Sequence, residues 1–240
     1  MKRIRRAYSK TVSLIDETAV QIYQSFVGKK KGFLLESYDK NNGRYVFMGK
    51  NPEEVIKSKE NGLVIEKEDG TTKELSGNPV DLLKGYYSDF EIRKDDEQLA
   101  FTGGLVGGLG YDFVRYKEEL PDNNPDEIGI STISLMLVTE FLSIDHFAET
   151  MTAVVVEDDT EAGRKKAMFR CEEMVKEAFA NIRKDEKSEF QPDGKIIKQS
   201  DTLEEYSEKV NKIKQYIIDG HVFQTVLSQR WTIETKQKGF

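Results

Sequence analysis

Cysteine and histidine are scarce in this sequence, and a long apolar run is missing. The single cysteine, Cys171, excludes an internal disulfide framework and a cysteine metal cluster, which fits a reducing compartment. The two histidines, His146 and His221, lie far apart and offer no Cys/His spacing for a transition-metal site. No window approaches the length of apolar sequence that a membrane span needs. We therefore expect a cytoplasmic protein without a membrane partner.

Positive charge is also in deficit, because 36 Lys and Arg residues stand against 43 Asp and Glu residues and give a formal net charge of -7. This balance argues against nucleic acid as a partner, which would require a clustered basic face. The basic residues 1–6 are not followed by an apolar segment, so they do not form a signal peptide. With 240 residues, of which 38% are hydrophobic, the chain can bury a core as one large domain or two small ones.

Glycine is concentrated in one place, residues 101–116, with five glycines within eight positions. Each glycine would cost about 1 kcal/mol in a helix relative to alanine, so the segment is predicted to be a strand. Glycine at this density lets another backbone or an aromatic ring approach closely, and we expect a central, crowded strand. The alternative is a phosphate-binding loop, but G-x-x-x-x-G-K-[ST] is absent and no helical pattern follows.

Local patterns predict most of the remaining elements. Helical spacing predicts a helix at 16–27 with Asp16 as its cap. The Asn42-Gly43 pair predicts a hairpin that joins strands 33–38 and 44–49. Alternating polar and apolar residues predict further strands at 55–60, 63–67, 71–75, 133–144, 151–157, 222–227 and 230–235. Apolar residues at steps of three and four predict helices after Asn78-Pro79, at 160–183, and from Thr202, which forms a capping box with Glu205, to Gly220.

Two further features concern organisation and reactivity. Residues 184–199 are charged, contain Pro192 and Gly194, and lack periodicity, so they are predicted to be a linker between 1–183 and 200–240. Cys171 lies on the apolar stripe of its helix, which favours a buried small side chain over a reactive thiol.

Four blocks of the sequence, in chain order, form one pattern. The first block is Leu34-Leu35-Glu36-Ser37 with Gly43-Arg44-Tyr45. The glycine-rich segment 101–116 is the second, and residues 134–146 and 217–231 are the third and fourth. Together these blocks resemble anthranilate synthase component I, a family of chorismate-utilising enzymes. The chain departs from the usual family pattern at His221, where aspartate is common, and at Gly108, where an aromatic residue is common.

The resemblance implies an α+β fold of orthogonally packed antiparallel β-sheets with flanking helices. It implies that residues 1–183 are an N-terminal regulatory region that binds tryptophan, and that 200–240 begin the chorismate-binding region. We expect the natural protein to continue beyond Phe240, and we expect the present chain alone to be inactive.

The resemblance also implies a reaction. The family converts chorismate and ammonia, delivered by a glutamine amidotransferase subunit (component II), to anthranilate and pyruvate with Mg2+. Its catalytic groups and metal ligands belong to the C-terminal region, so none is expected here apart from Gln224 as a substrate-pocket residue. In related isochorismate and salicylate synthases a lysine at this position activates water, which a glutamine amide cannot do. The alternative role for Gln224 is an ordinary hydrogen bond within a sheet.

In this family the Leu-Leu-Glu-Ser segment forms part of the site where tryptophan binds as a feedback inhibitor. An amino-acid ligand needs an apolar slot and a few placed polar groups. The resemblance therefore implies a site at Leu35, Glu36 and Ser37, with Arg44 or Lys50 opposing the ligand carboxylate. Adjacent strand residues face opposite sides, so Glu36 and Ser37 share one pocket only if the strand bulges.

Two alternative functions remain open from the sequence. The first is aminodeoxychorismate synthase component I of the folate pathway, which uses the same substrate. Residues 223–230 look closer to the anthranilate branch. The second is an amino-acid-binding module without catalytic activity.

Overall fold

The computed structural model describes residues 3–14, 16–36, 43–94, 99–121, 125–182 and 194–236. The chain divides into two compact units, Met1–Lys184 and Asp185–Phe240, and each is described by itself. The predicted α+β class is confirmed. The strands are β1 (Arg3–Ser13), β2 (Gly32–Glu36), β3 (Tyr45–Lys50), β4 (Glu54–Lys59), β5 (Gly62–Lys67), β6 (Thr72–Ser76), β7 (Phe90–Lys94), β8 (Gly104–Leu109), β9 (Ile133–Val138), β10 (Glu140–Asp145), β11 (Thr150–Asp158), β12 (Lys195–Gln199) and β13 (Trp231–Glu234). The helices are α1 (Ala19–Phe26), α2 (Pro79–Ser88), α3 (Glu161–Ala180) and α4 (Leu203–Ile218), with a 3-10 helix at Tyr111–Tyr116.

The first unit contains a sheet that, within the described residues, has six strands in the order β2-β3-β10-β11-β1-β7. All neighbours are antiparallel except β1 and β7, which run parallel and so depart from the predicted antiparallel sheets. Helix α3 packs across β11 and β1 and also contacts α1. A core of fully buried side chains fills the space between these helices and the sheet, among them Ile22, Met48, Leu142, Met151 and Met174.

The predicted hairpin is confirmed, because β2 pairs antiparallel with β3, although Asn42 lies outside the described residues. The predicted strands 55–60, 63–67 and 71–75 are confirmed as β4, β5 and β6, which pair antiparallel in chain order. These strands belong to a second sheet, which in the described part of the chain has five strands in the order β6-β5-β4-β9-β8. Helix α2 packs on β5, and Asn78 caps it as predicted.

The glycine-rich segment differs from its prediction in two ways. Strand β8 ends at Leu109, after which residues Tyr111–Tyr116 form a 3-10 helix. Among the strands that the structure describes, β8 lies at the edge of its sheet and pairs with β9 alone. The predicted close approach of another backbone is confirmed at Gly107, where a Cβ would lie 2.1 Å from the carbonyl oxygen of Ser134. Gly107 therefore allows β8 to pair closely with β9.

The predicted strand 133–144 is wrong as a single element. It breaks at Thr139, because the chain passes there from β9 in the five-stranded sheet to β10 in the six-stranded sheet. The Val156 amide donates to the Thr139 carbonyl over 2.7 Å and fixes the crossing. The two sheets share a core whose buried members are Ala7, Phe33, Val106, Val138, Phe141, Val154 and Val156.

Helix ends follow local capping chemistry. Thr18, and not the predicted Asp16, caps α1 in a capping box with Gln21. The predicted capping box of Thr202 and Glu205 is confirmed at α4. None of the described helices combines the length and apolar composition that crossing a membrane requires.

In the second unit, β12 pairs antiparallel with β13. The range predicted as a linker, 184–199, has β12 at its end, and residues 184–193 lie outside the described part of the chain. The predicted strand at 222–227 is wrong, since these residues adopt irregular backbone without a sheet partner among the described residues. The division into functional domains stays a prediction.

Candidate functional site

The ribbon formed by β2 and β3 carries the residues that the resemblance assigns to a ligand site. Strand β2 is at the edge of the six-stranded sheet, and Leu35 lies directly opposite Phe47. Phe33 and Phe47 belong to the core between the sheets, whereas Leu34 packs on the helix side. Because strand side chains alternate, Leu35 faces the inter-sheet side and Glu36 faces the helix side.

Leu35 lies beside a group of four rings that we call the aromatic cluster: Tyr45, Phe47, Phe101 and Phe141. The ring centroids are 4.8 Å apart for Phe101 and Phe141, 5.6 Å for Phe47 and Phe101, and 6.0 Å for Tyr45 and Phe47. These spacings are within the range of favourable ring contacts. Leu35 itself is 48% exposed. An exposed leucine next to packed rings forms an apolar surface that a flat aromatic group can cover.

Glu36 is the last residue of β2 and is exposed. Among the described residues its carboxylate has no hydrogen-bond or ion-pair partner. Ser37, the other polar residue predicted for this site, lies outside the described residues.

Arg44 is already engaged by a carboxylate of the chain itself. Its Nε and Nη2 donate to the Asp145 carboxylate over 3.0 and 2.7 Å, and its guanidinium carbon lies 4.9 Å from the Tyr45 ring centroid. Asp145 also accepts the amides of Phe147 and Ala148 over 3.0 and 3.2 Å. The Arg44 guanidinium, together with these amides, lowers the pKa of Asp145. A ligand carboxylate would have to compete with Asp145 for this arginine.

Lys50, considered from sequence as a second partner for a ligand carboxylate, points to the helix side of the sheet. Its Nζ donates to the Phe26 carbonyl over 2.7 Å, forms an ion pair with Glu177, and lies 3.8 Å from the Phe26 ring centroid. Burial lowers the pKa of Lys50, and the Glu177 carboxylate partly offsets that effect. We therefore remove Lys50 from the candidate site.

The structure brings the predicted residues together only in part. Leu35 shares its face with the aromatic cluster, while Arg44 is held at the turn between β10 and β11. Gln224 is exposed in the irregular segment of the second unit, described separately from the ribbon. Sequence reasoning missed the aromatic cluster as part of the site. The available signal was Tyr45 and Phe47 at alternate positions, which places both rings on one face of β3.

Within the described part of the chain, no group of three or more His, Cys, Asp or Glu side chains is arranged to hold a metal ion. The described residues therefore do not form a site that fits Mg2+.

The β2–β3 ribbon thus combines one apolar face with a carboxylate at its end, beside a core shared by two sheets. The chain belongs to the chorismate binding enzyme family, whose model matches residues 31–240. The resemblance inferred from the sequence motifs is thereby confirmed.

Several proteins named anthranilate synthase component 1 are similar to this chain. The protein from Acetivibrio thermocellus is 32% identical over 239 residues, which cover 93% of this chain and 47% of that relative. The protein from Aquifex aeolicus is 30% identical over 233 residues, with 92% and 46% covered. The protein from Pseudomonas aeruginosa is 28% identical over 229 residues, also with 92% and 46% covered. The chain thus spans about half the length of the curated relatives it matches.

Among solved structures, anthranilate synthase component I from Streptococcus pneumoniae TIGR4 aligns with a TM-score of 0.48 and 21% sequence identity. The alignment covers 87% of this chain and 45% of that one.

Proposed function

We propose that this chain is the N-terminal part of an anthranilate synthase component I. The observation that carries the proposal is the family match over residues 31–240, together with relatives that share the name anthranilate synthase component 1 over 91–93% of this chain. The names of these relatives favour the anthranilate branch over aminodeoxychorismate synthase.

The proposed reaction of the whole protein converts chorismate and ammonia to anthranilate and pyruvate. A glutamine amidotransferase subunit supplies the ammonia, and Mg2+ is the proposed metal. The described residues offer no group of three or more metal-ligating side chains, and the metal ligands are proposed to lie in the rest of the whole protein. Gln224 is proposed to line the substrate pocket of the whole protein, where its neutral amide can donate and accept hydrogen bonds but cannot act as a base near neutral pH.

We propose that the β2–β3 ribbon binds tryptophan as a feedback inhibitor. Leu35 and the aromatic cluster supply an apolar surface for the indole ring, and apolar contact with a few polar groups is the usual composition of a small-molecule site. Glu36 is proposed to accept the ligand ammonium, and Ser37 to hydrogen-bond either polar end. Glu36 ends β2 and its side chain leaves the opposite face from Leu35, so its carboxylate is proposed to reach the ligand around the end of the strand.

Arg44 is proposed to hold the end of the ribbon in place through Asp145 and to reach a ligand carboxylate only after leaving that partner. This revises the role suggested by sequence, in which the arginine opposed the carboxylate directly.

The reaction is tested with the product of the natural reading frame that carries this chain. The protein is incubated with chorismate, ammonium chloride and magnesium chloride, and anthranilate is followed by its fluorescence. We expect anthranilate and pyruvate in equal amounts. Formation of 4-amino-4-deoxychorismate in its place, or no turnover, would contradict the proposal.

A further inference from the structure

A cleft of about 510 Å³ lies between the five-stranded sheet and helix α2, in the first unit and on a different element pair from the ribbon. Its apolar floor is formed by Ile65 and Leu75 of the sheet, Leu82 of α2 and Phe90 at the start of β7. A cleft of this volume accommodates a small organic molecule. The charged side chains that line the cleft indicate the chemical class of that molecule.

Two of the charged groups that line the cleft are neutralised by the chain itself. Glu53 forms an ion pair with Arg5 over 2.6 Å, and Asp81 forms one with Lys117 over 2.9 Å. These carboxylates are therefore satisfied without a ligand.

The other four charged side chains of the cleft are two lysines and two carboxylates, and within the described residues none of them forms an ion pair. The ammonium groups of Lys67 and Lys73 have no ion-pair or hydrogen-bond partner among the described residues, and the same is true of the Asp89 carboxylate. Glu54 is only 9% exposed, and in the described part of the chain its side chain accepts one hydrogen bond, from the Tyr86 hydroxyl over 2.6 Å. A carboxylate can accept about four hydrogen bonds, so Glu54 retains capacity for a donor. Two cations and two anions thus face an apolar floor.

A glycine inside α2, Gly85, also points to a ligand in this cleft. It lies inside α2, where glycine costs about 1 kcal/mol relative to alanine. Neither its backbone angle nor its packing requires glycine, because a Cβ at this position would meet no atom within 4 Å. Gly85 lines the cleft, and the missing side chain keeps the cleft open.

We propose that this cleft binds an α-amino acid with an apolar side chain. The ligand carboxylate is held by Lys67 and Lys73, and the ligand ammonium donates to Glu54 and Asp89. The side chain rests on the floor formed by Ile65, Leu75, Leu82 and Phe90. A zwitterion satisfies both sets of charges, whereas a simple acid or a simple amine satisfies one and leaves the other without a partner. This site is separate from the ribbon of the proposed function.

The test titrates the chain with three matched probes: L-phenylalanine, 3-phenylpropanoate, which lacks the ammonium group, and 2-phenylethylamine, which lacks the carboxylate. Isothermal titration calorimetry is expected to show binding of phenylalanine and affinities about tenfold weaker or worse for the other two. Absence of phenylalanine binding, or equal binding of either analogue, would overturn the proposal.

Gly85→Leu fills the cleft and favours the helix, and it is expected to weaken phenylalanine binding by about tenfold or more. The control is Lys84→Leu, which adds the same side chain at an exposed neighbour that does not line the cleft and should leave the affinity unchanged. Unaltered binding in Gly85→Leu would refute the site.

Lys73→Ala provides a second test that does not depend on how Gly85→Leu folds. It is expected to weaken the binding of phenylalanine and of 3-phenylpropanoate and to leave the binding of 2-phenylethylamine unchanged. A uniform loss for all three probes, or no loss, would contradict the assigned role of Lys73. Leu35→Asp, on the ribbon, should leave phenylalanine binding intact, so failure of the tryptophan site and failure of this cleft are distinguished.

Discussion

Arg44 and Asp145 join the β2–β3 ribbon to the turn that connects β10 and β11. The guanidinium donates from Nε and Nη2 to the two carboxylate oxygens, and the Arg44 carbonyl accepts the amide of His146 over 2.9 Å. The same carboxylate accepts two amides of the turn. A single acidic side chain therefore fixes both the arginine and the turn.

This relationship predicts a pH-dependent effect of Asp145→Asn. Because Arg44 and the turn amides lower the pKa of Asp145 in the folded state, its stabilising contribution is complete above the unfolded pKa and is lost as the pH falls through the folded pKa. The unfolding midpoint in urea should be lower for Asp145→Asn than for the parent at neutral pH. The difference should shrink below about pH 4. A difference that stays constant down to acid pH would contradict the assignment.

The ion pair of Lys50 and Glu177 predicts that substitutions at these two positions have non-additive effects on the stability of the fold. The Lys50 side chain is 5% exposed, so removal of its anionic partner leaves a buried charge with less compensation. Glu177→Gln should destabilise the fold by about 1–3 kcal/mol. The double variant Lys50→Met with Glu177→Gln should recover part of this loss, because it removes the buried charge as well. Chemical unfolding of both single variants and the double variant measures the coupling, and additive losses would argue against it.

Two glycines of β8 form a matched pair. A Cβ on Gly107 would lie 2.1 Å from the Ser134 carbonyl oxygen, whereas a Cβ on Gly108 would meet nothing within 4 Å. Gly107→Ala is expected to destabilise the protein by about 2–3 kcal/mol, since the backbone of β9 must shift. Gly108→Ala should be neutral or slightly stabilising. Equal thermal stability of the two variants would show that β8 does not pair with β9 as described.

Cys171 should be inert in the folded protein. Its thiol is fully buried, with Sγ 3.6 Å from the Ala153 carbonyl, and burial raises its pKa to about 12. Reaction with a thiol reagent near pH 8 should be absent in buffer and complete after denaturation. Rapid labelling of the native protein would contradict the burial of this side chain.

Sequence reasoning succeeded where the signal was local. The Asn78 cap of α2 and the capping box of Thr202 and Glu205 each depend on residues two or three positions apart, and the β2–β3 pairing joins strands that are neighbours along the chain. The burial of Cys171 followed from the periodicity of one helix.

Sequence reasoning failed where the structure depends on contacts between distant parts of the chain. Strand β1 was not predicted, because its partners β11 and β7 lie far along the sequence and its surface positions carry basic residues. The break at Thr139 reflects a passage between two sheets that no local pattern reveals. Arg44 and Asp145 are 101 residues apart in the sequence, so the ribbon sequence alone did not show that they form an ion pair.

The most direct test of the central claim, that the β2–β3 ribbon binds tryptophan, is a calorimetric titration of the chain with L-tryptophan. The comparison is made in the Gly85→Leu background, which closes the α2 cleft to amino acids. It sets Leu35→Asp against Leu109→Asp, two exposed leucines (48% and 52%) of which only the first adjoins the aromatic cluster. We expect tryptophan binding that Leu35→Asp weakens by about tenfold or more and Leu109→Asp leaves unchanged. No binding to the Gly85→Leu chain, or equal binding by both variants, would contradict the claim.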